Sequence, residues 1–129
     1  MLGVTEKRIW VVAVVLWISV IFLLCSLPAG EIPAPRMDIP HLDKVVHGGM
    51  FWVMSVLLIL PLKRYTSLSK ERIYAIAVCV AFGYGGLMEI LQQYCFGRSG
   101  DVWDLLADVI GGVAGCACYP LVRRIGHIK

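Results

Sequence analysis

Glu89-Ile90-Leu91-Gln92-Gln93-Tyr94-Cys95-Phe96-Gly97-Arg98-Ser99-Gly100-Asp101-Val102-Trp103-Asp104-Leu105-Leu106-Ala107-Asp108 sets four carboxylates, two amides and one arginine between two long apolar runs. A polar group taken out of water costs kilocalories unless it is paired. The flanking runs must therefore fold so that these groups meet one another or meet water. Helical spacing provides the means. Asp101, Asp104 and Asp108 fall at i, i+3 and i+7, a single stripe, and Glu89 shares a face with Gln92 and Gln93. Gly112 and Gly115 continue the aspartate stripe, and Gly85 and Gly86 continue the Glu89 face. Both faces are thus expected to meet protein, with two helices packing closely below their acids. Gly97-Arg98-Ser99-Gly100 reads as the tight turn between them.

The rest of the chain has the composition of a membrane protein. Of its 129 residues, 59% are hydrophobic and only 16% charged, with a mean hydropathy of +0.78. Soluble domains carry about 25% charged residues. Two more apolar runs precede the opening stretch, Ile9 to Leu27 and Val45 to Leu62, and the third and fourth are Ile73 to Leu91 and Val102 to Val122. Each approaches the roughly 20 residues a spanning helix needs. The expected fold is all-α: a polytopic membrane protein with four transmembrane helices in one small bundle. The helices are expected at about 8–27, 43–62, 71–94 and 102–122 in a single domain over 1–129. Pro61 and the basic pair Lys63-Arg64 are expected to end the second helix, and Ser69 to cap the third. Pro28, Pro33, Pro35 and Pro40 make Leu27 to Pro40 a loop. The first run also has the look of a secretory signal, but Pro28 spoils the small-residue cleavage frames, so it reads as an uncleaved helix. The five cysteines form no CxxC pair and no even set, so they read as small buried hydrophobes. A bridge between Cys25 and Cys95 would require both at the outer surface.

Charge sorting orients the bundle. Nine of the 12 basic residues (Lys7, Arg8, Lys63, Arg64, Lys70, Arg72, Arg123, Arg124 and Lys129) fall on the side of the two termini and the Lys63–Arg72 connection. Seven of the nine acids fall on the other. Excess Lys and Arg mark the cytoplasmic face. Both termini are therefore expected inside, with the acidic cluster at the outer end.

Asp43 and His47 are four apart at the start of the second helix and supply a third wall to the cluster. Asp43, Glu89, Asp101, Asp104 and Asp108 bring five negative charges, against which Lys44 and Arg98 bring two positive ones. An unbalanced excess does not sit in a dry pocket: protons stay on, a cation binds, or water enters. Asp43, His47, Glu89, Asp104 and Asp108 are the candidate catalytic residues, and Lys44, Gln92, Arg98 and Asp101 the candidate substrate-binding ones. Plainer roles compete. Asp101 with Asp104 imitates a capping box at the start of the fourth helix. Arg98 would neutralise Glu89 or Asp104 across the turn. His47 alone would be a satisfied buried histidine. Tyr94 and Trp103 read as interface aromatics, and Met50, Phe51, Trp52 and Met54 as packing or lipid contacts.

Asp43-Lys44-x-x-His47 opening one helix, Glu89-x-x-Gln92 ending another, and Gly97-Arg98-Ser99-Gly100-Asp101-x-x-Asp104-x-x-x-Asp108-x-x-Gly111-Gly112 together resemble the VanZ-like family of bacterial membrane proteins. The resemblance covers Leu42 to Gly115. It implies a small polytopic helical protein of the bacterial cell (inner) membrane and envelope. The family's named member is linked to resistance to the glycopeptide antibiotic teicoplanin. The family's pattern usually has Asn where this chain has Asp108, so a titratable charge is added at that depth.

Three functions compete on these residues. The first binds or modifies an anionic envelope lipid or lipid-linked cell-wall precursor at the outer leaflet. Arg98 and Lys44 would provide charge there, and His47 with the acids would do acid-base work. A divalent cation on the carboxylates would bridge to phosphate. No nucleophile motif or fixed metal spacing is present, so whether the chain is an enzyme stays open. The second is a proton- or cation-coupled carrier, which with four spans would call for a homo-oligomer. The third is a non-catalytic partner of envelope machinery. The expected environment is the lipid bilayer, with no nucleic-acid partner.

Overall fold

Four apolar runs become four helices in the computed structural model, which describes residues 2–27 and 40–125. They are α1 (Leu2–Ser26), α2 (Leu42–Tyr65), α3 (Lys70–Tyr94) and α4 (Val102–Ile125). Each is 24 or 25 residues long. At about 1.5 Å per residue such a helix crosses the roughly 30 Å hydrocarbon core of a bilayer, and all four are long and apolar enough to do so. The proline-rich connection, with Glu31, Arg36 and Asp38, lies outside the described residues, as do His127 and Lys129.

Two expected boundaries are corrected: α1 starts at Leu2 rather than near residue 8, taking in Lys7 and Arg8. α2 does not end at Pro61 but runs through it to Tyr65. A proline inside a helix loses one N–H bond and crowds the carbonyl four residues back, but one turn from the helix end the packing of the whole helix outweighs that cost. Lys63 and Arg64 occupy the last turn, where their charge suits the negative end of the helix dipole. Pro120 is likewise inside α4. Ser69 caps α3 as expected, its Oγ accepting from the Arg72 N–H at 3.4 Å. The α3–α4 turn passes through Gly97 at φ +65, a left-handed conformation that glycine adopts without penalty.

Consecutive helices run in opposite directions. The start of α1 meets the end of α2, where Arg64 Nη2 donates to Glu6 Oε1 at 3.0 Å and Lys7 lies over the Tyr65 ring. The opposite end of the bundle gathers the start of α2, the end of α3 and the start of α4.

The tightest seam joins α2 to α4, not α3 to α4. A Cβ on Gly111 would collide with the backbone carbonyl of Gly48. One on Gly115 would stand 2.7 Å from Ser55 Cβ and 2.9 Å from the Trp52 carbonyl oxygen. α3 closes on the other side of α4, where a Cβ on Gly112 would meet Ala81 Cβ at 2.8 Å. Gly86, expected on a packed face, has open space around it. Beneath the acidic end, Phe51, Met54, Met88, Ile21 and Cys25 form a buried apolar cluster. Val56, Ile59, Ile73, Ala77 and Tyr119 form a second.

α1 packs on α2 and α3 and leaves most of its surface outward. Besides the contacts of Glu6 with Arg64 and Tyr65, three hydrogen bonds tie it down. Trp17 Nε1 donates to the Met50 carbonyl at 2.9 Å, Tyr84 OH to the Ile18 carbonyl at 2.8 Å, and Gln92 Nε2 to the Cys25 carbonyl at 3.1 Å. All five cysteines are free thiols; Cys25 and Cys116 are buried, while Cys79 and Cys95 are exposed.

Candidate functional site

The acidic stripe of α4 comes to rest against the first turns of α2. Lys44, on α2, puts its Nζ 2.9 Å from Asp43 Oδ2, 3.0 Å from Asp101 Oδ2 and 3.0 Å from Asp104 Oδ1. One ammonium thus ties two helix ends together. Asp43, Asp101 and Asp104 could themselves hold a cation, and the lysine already serves as one.

One turn deeper, His47 Nδ1 lies 2.9 Å from Asp108 Oδ1, and its Nε2 lies 3.9 Å from Asp104 Oδ2. Asp108 is wholly buried, and His47, Glu89 and Asp104 are each less than a tenth exposed. The aspartate fits because α3 presents Gly85 opposite it: a Cβ there would lie 2.7 Å from Asp108 Oδ2. That same oxygen and Glu89 Oε1 are buried without a hydrogen-bond partner among the described residues. His47, Glu89 and Asp104 each bring a potential ligand atom within 4.8 Å of the others.

The end of α3 and the start of α4 share a cap. Asp101 Oδ1 accepts from the Trp103 N–H at 2.9 Å, and the Asp101 carbonyl accepts from the N–H groups of Asp104 and Leu105. In a capping box the acid three residues on would accept from the Asp101 N–H. Here Asp104 faces Lys44, and Glu89 Oε2 of the neighbouring helix accepts that bond at 2.8 Å. The Trp103 N–H, and then Lys44, hold the Asp101 carboxyl below the usual carboxylate range.

Seven of the nine sequence-derived candidates therefore converge: Asp43, Lys44, His47, Glu89, Asp101, Asp104 and Asp108. The other two do not join the network. Gln92, almost wholly buried, turns to α1 and bonds the Cys25 carbonyl. Arg98 forms no ion pair with Glu89, Asp104 or any other acid among the described residues; its backbone N–H donates to the Gln92 carbonyl at 3.0 Å. Sequence reasoning missed Gly48 and Ser55, which let α4 approach. Their seven-residue spacing, two helical turns on one face, was the available signal. Tyr94 and Trp103 stand well exposed at this end, as interface aromatics do, while Met50, Phe51 and Met54 are core.

The sequence profile of the VanZ/LLP1 family matches residues 10–123. The chain belongs to the VanZ/LLP1 family. The matched span runs from α1 into the last turn of α4, so the VanZ/LLP1 pattern takes in every residue of the cluster, and the family and the four apolar helices together make this a multi-pass membrane protein. No curated protein and no solved structure matches the chain.

Proposed function

We propose that this VanZ/LLP1 protein sits in the bacterial inner membrane with both termini in the cytoplasm, and that its polar end binds or modifies an anionic envelope lipid or lipid-linked wall precursor at the outer leaflet. One observation carries the reading. A buried His47–Asp108–Asp104–Glu89 group with unpartnered carboxylate oxygens lies under a bundle end whose turn bears Arg98, without an ion partner among the described residues. Such buried ionisable groups at a membrane position indicate function. Lys44 is held by three carboxylates, so Arg98 is the cation left to meet a phosphate or carboxylate head group. His47 and the acids beside it supply proton transfer to whatever that head group positions.

The test is native mass spectrometry of the purified protein. The intact chain is expected to retain anionic lipid, and Arg98→Ala to lose it; equal retention in both sinks the proposal. In cells, Glu89→Gln and Asp104→Asn are expected to abolish the phenotype of the intact protein, with teicoplanin susceptibility the first to score, at unchanged membrane level. Loss of the protein itself would point to a structural role for the cluster.

The wholly buried Asp108, with one free oxygen, favours a second reading: a proton- or cation-coupled carrier. It requires a pH- or ion-dependent flux in proteoliposomes, and a folded but silent preparation excludes it.

A further inference from the structure

We infer that His47, Glu89 and Asp104 form a binding site for one divalent transition-metal ion of the Zn2+ or Mn2+ class, with Asp108 as the residue that orients the imidazole. The site takes one ligand from each of α2, α3 and α4, and the three ligand atoms already lie within 4.8 Å of one another. Two ligands about 2.1 Å from a common ion stand about 3.4 Å apart in a tetrahedron and about 4.2 Å when opposed. The 3.9 Å between His47 Nε2 and Asp104 Oδ2 falls inside that interval.

Asp108 supplies the orientation. Its Oδ1 lies 2.9 Å from Nδ1, which suits the tautomer that carries its proton on Nδ1 and donates it to the carboxylate. The lone pair is then left on Nε2, the nitrogen facing Asp104. A carboxylate behind the histidine is the usual outer partner of a metal-bound imidazole. Independently, Glu89 is more than nine-tenths buried, and its Oε1 has no partner among the described residues, although Oε2 is bonded to the Asp101 N–H. A buried carboxylate oxygen left bare costs kilocalories, and a cation removes that cost. Charge points the same way: a divalent ion offsets two of the three buried carboxylates, Glu89, Asp104 and Asp108, while His47 stays neutral and Lys44 pairs with Asp104 from above. The neighbouring group of Asp43, Asp101 and Asp104 carries no such inference, because Lys44 fills it. The nitrogen ligand selects against Mg2+ and Ca2+, which prefer oxygen throughout. Three protein ligands leave a coordination position for water or a substrate oxygen.

The site stands on this geometry alone, so it survives if the lipid reading fails. The full chain, purified in detergent and stripped with chelator, is titrated with Zn2+ and separately with Mn2+, and bound metal is counted by mass spectrometry. One ion per chain is expected. His47→Gln, Glu89→Gln and Asp104→Asn are each expected to weaken binding at least tenfold. Asp108→Ala is expected to weaken it about 10- to 100-fold, and Asp108→Asn less, because the amide oxygen still accepts from Nδ1. The Mn2+ form should show imidazole nitrogen coupling by pulsed electron paramagnetic resonance, absent in His47→Gln. Glu6→Gln, at the far end of the bundle, should bind as the parent does. A helical wild-type protein that takes up neither metal overturns the inference without reference to any variant. So does undiminished binding by a folded His47→Gln.

Discussion

Lys44 shows how one residue can be both a lid on a site and a part of its frame. Its three carboxylate partners differ in exposure, from 54% for the Asp43 side chain to 9% for Asp104. Water screens the first pair far more than the last. A double-mutant cycle between Lys44→Met and Asp104→Asn is therefore expected to show strong coupling in thermal unfolding, and one with Asp43→Asn almost none. Equal couplings would mean that the ammonium is not shared as the distances indicate. Acid gives a second readout. Asp101 titrates below its ordinary value near 3.9 because the folded state donates hydrogen bonds to its ionised form. The stability it contributes is fully present above that ordinary value and is lost as pH falls through the lowered one. Melting curves between pH 5 and pH 3 should flatten in Asp101→Asn relative to the parent. The sequence marks which of these residues are polar against an apolar background. It does not mark Lys44 as an internal counter-ion, because its partners at the cap and in the first turn of α4 lie 57 and 60 positions away and only the helix register brings them in reach.

Between elements, the α2–α4 seam matters most. Gly111 abuts the Gly48 backbone, which cannot move aside as a flexible side chain would. Gly111→Ala is expected to destabilise the protein by about 1–3 kcal/mol, the usual range for overpacking, and to separate His47 from Asp108. Gly86→Ala, facing open space, should be close to neutral. Denaturant titration in mixed micelles compares the two. The helices themselves are plain from their apolar runs, and Ser69 announces α3. Helix pairing is less legible: α2, α3 and α4 all carry small residues on a face, and composition does not say which two faces close. Pro61 misleads for a related reason. A proline near a helix end signals termination in an isolated chain, yet the packing of Leu60 and Ile59 carries α2 one turn further.

For the whole molecule the strongest regularity is polarity along the bundle axis. The acidic site occupies one end; Lys63, Arg64, Lys70, Arg72, Arg123 and Arg124 lie towards the other, by the order of the helices. On the proposed orientation, which puts the basic end in the cytoplasm, Cys95, exposed at the acidic end, should react with a membrane-impermeant maleimide added to intact spheroplasts. A Ser67→Cys thiol should react only after permeabilisation. Protection of Cys95, checked against Cys95→Ser, would reverse the orientation. The count of spans, their order and the gathering of acids at one end are all readable from hydropathy and charge. The depth of each acid is not, since Asp101 at the rim and Asp108 in the interior share one stripe.

The three bonds that hold the apolar length of α1 have a consequence for how this helix tolerates change. Two of them end on main-chain oxygens of α1, those of Ile18 and Cys25, and the third leaves from the indole of Trp17. A main-chain acceptor persists whatever side chain it carries. Apart from Glu6, the packed Trp10, Trp17 and Ile18, and the buried Ile21 and Cys25, the exposed positions of α1 keep the helix docked with any apolar residue. Replacing Val11, Val12, Val15 or Leu16 together with other aliphatics should leave assembly intact. Sequence drift should therefore accumulate in α1 first, while the three helices that meet at the histidine stay recognisable.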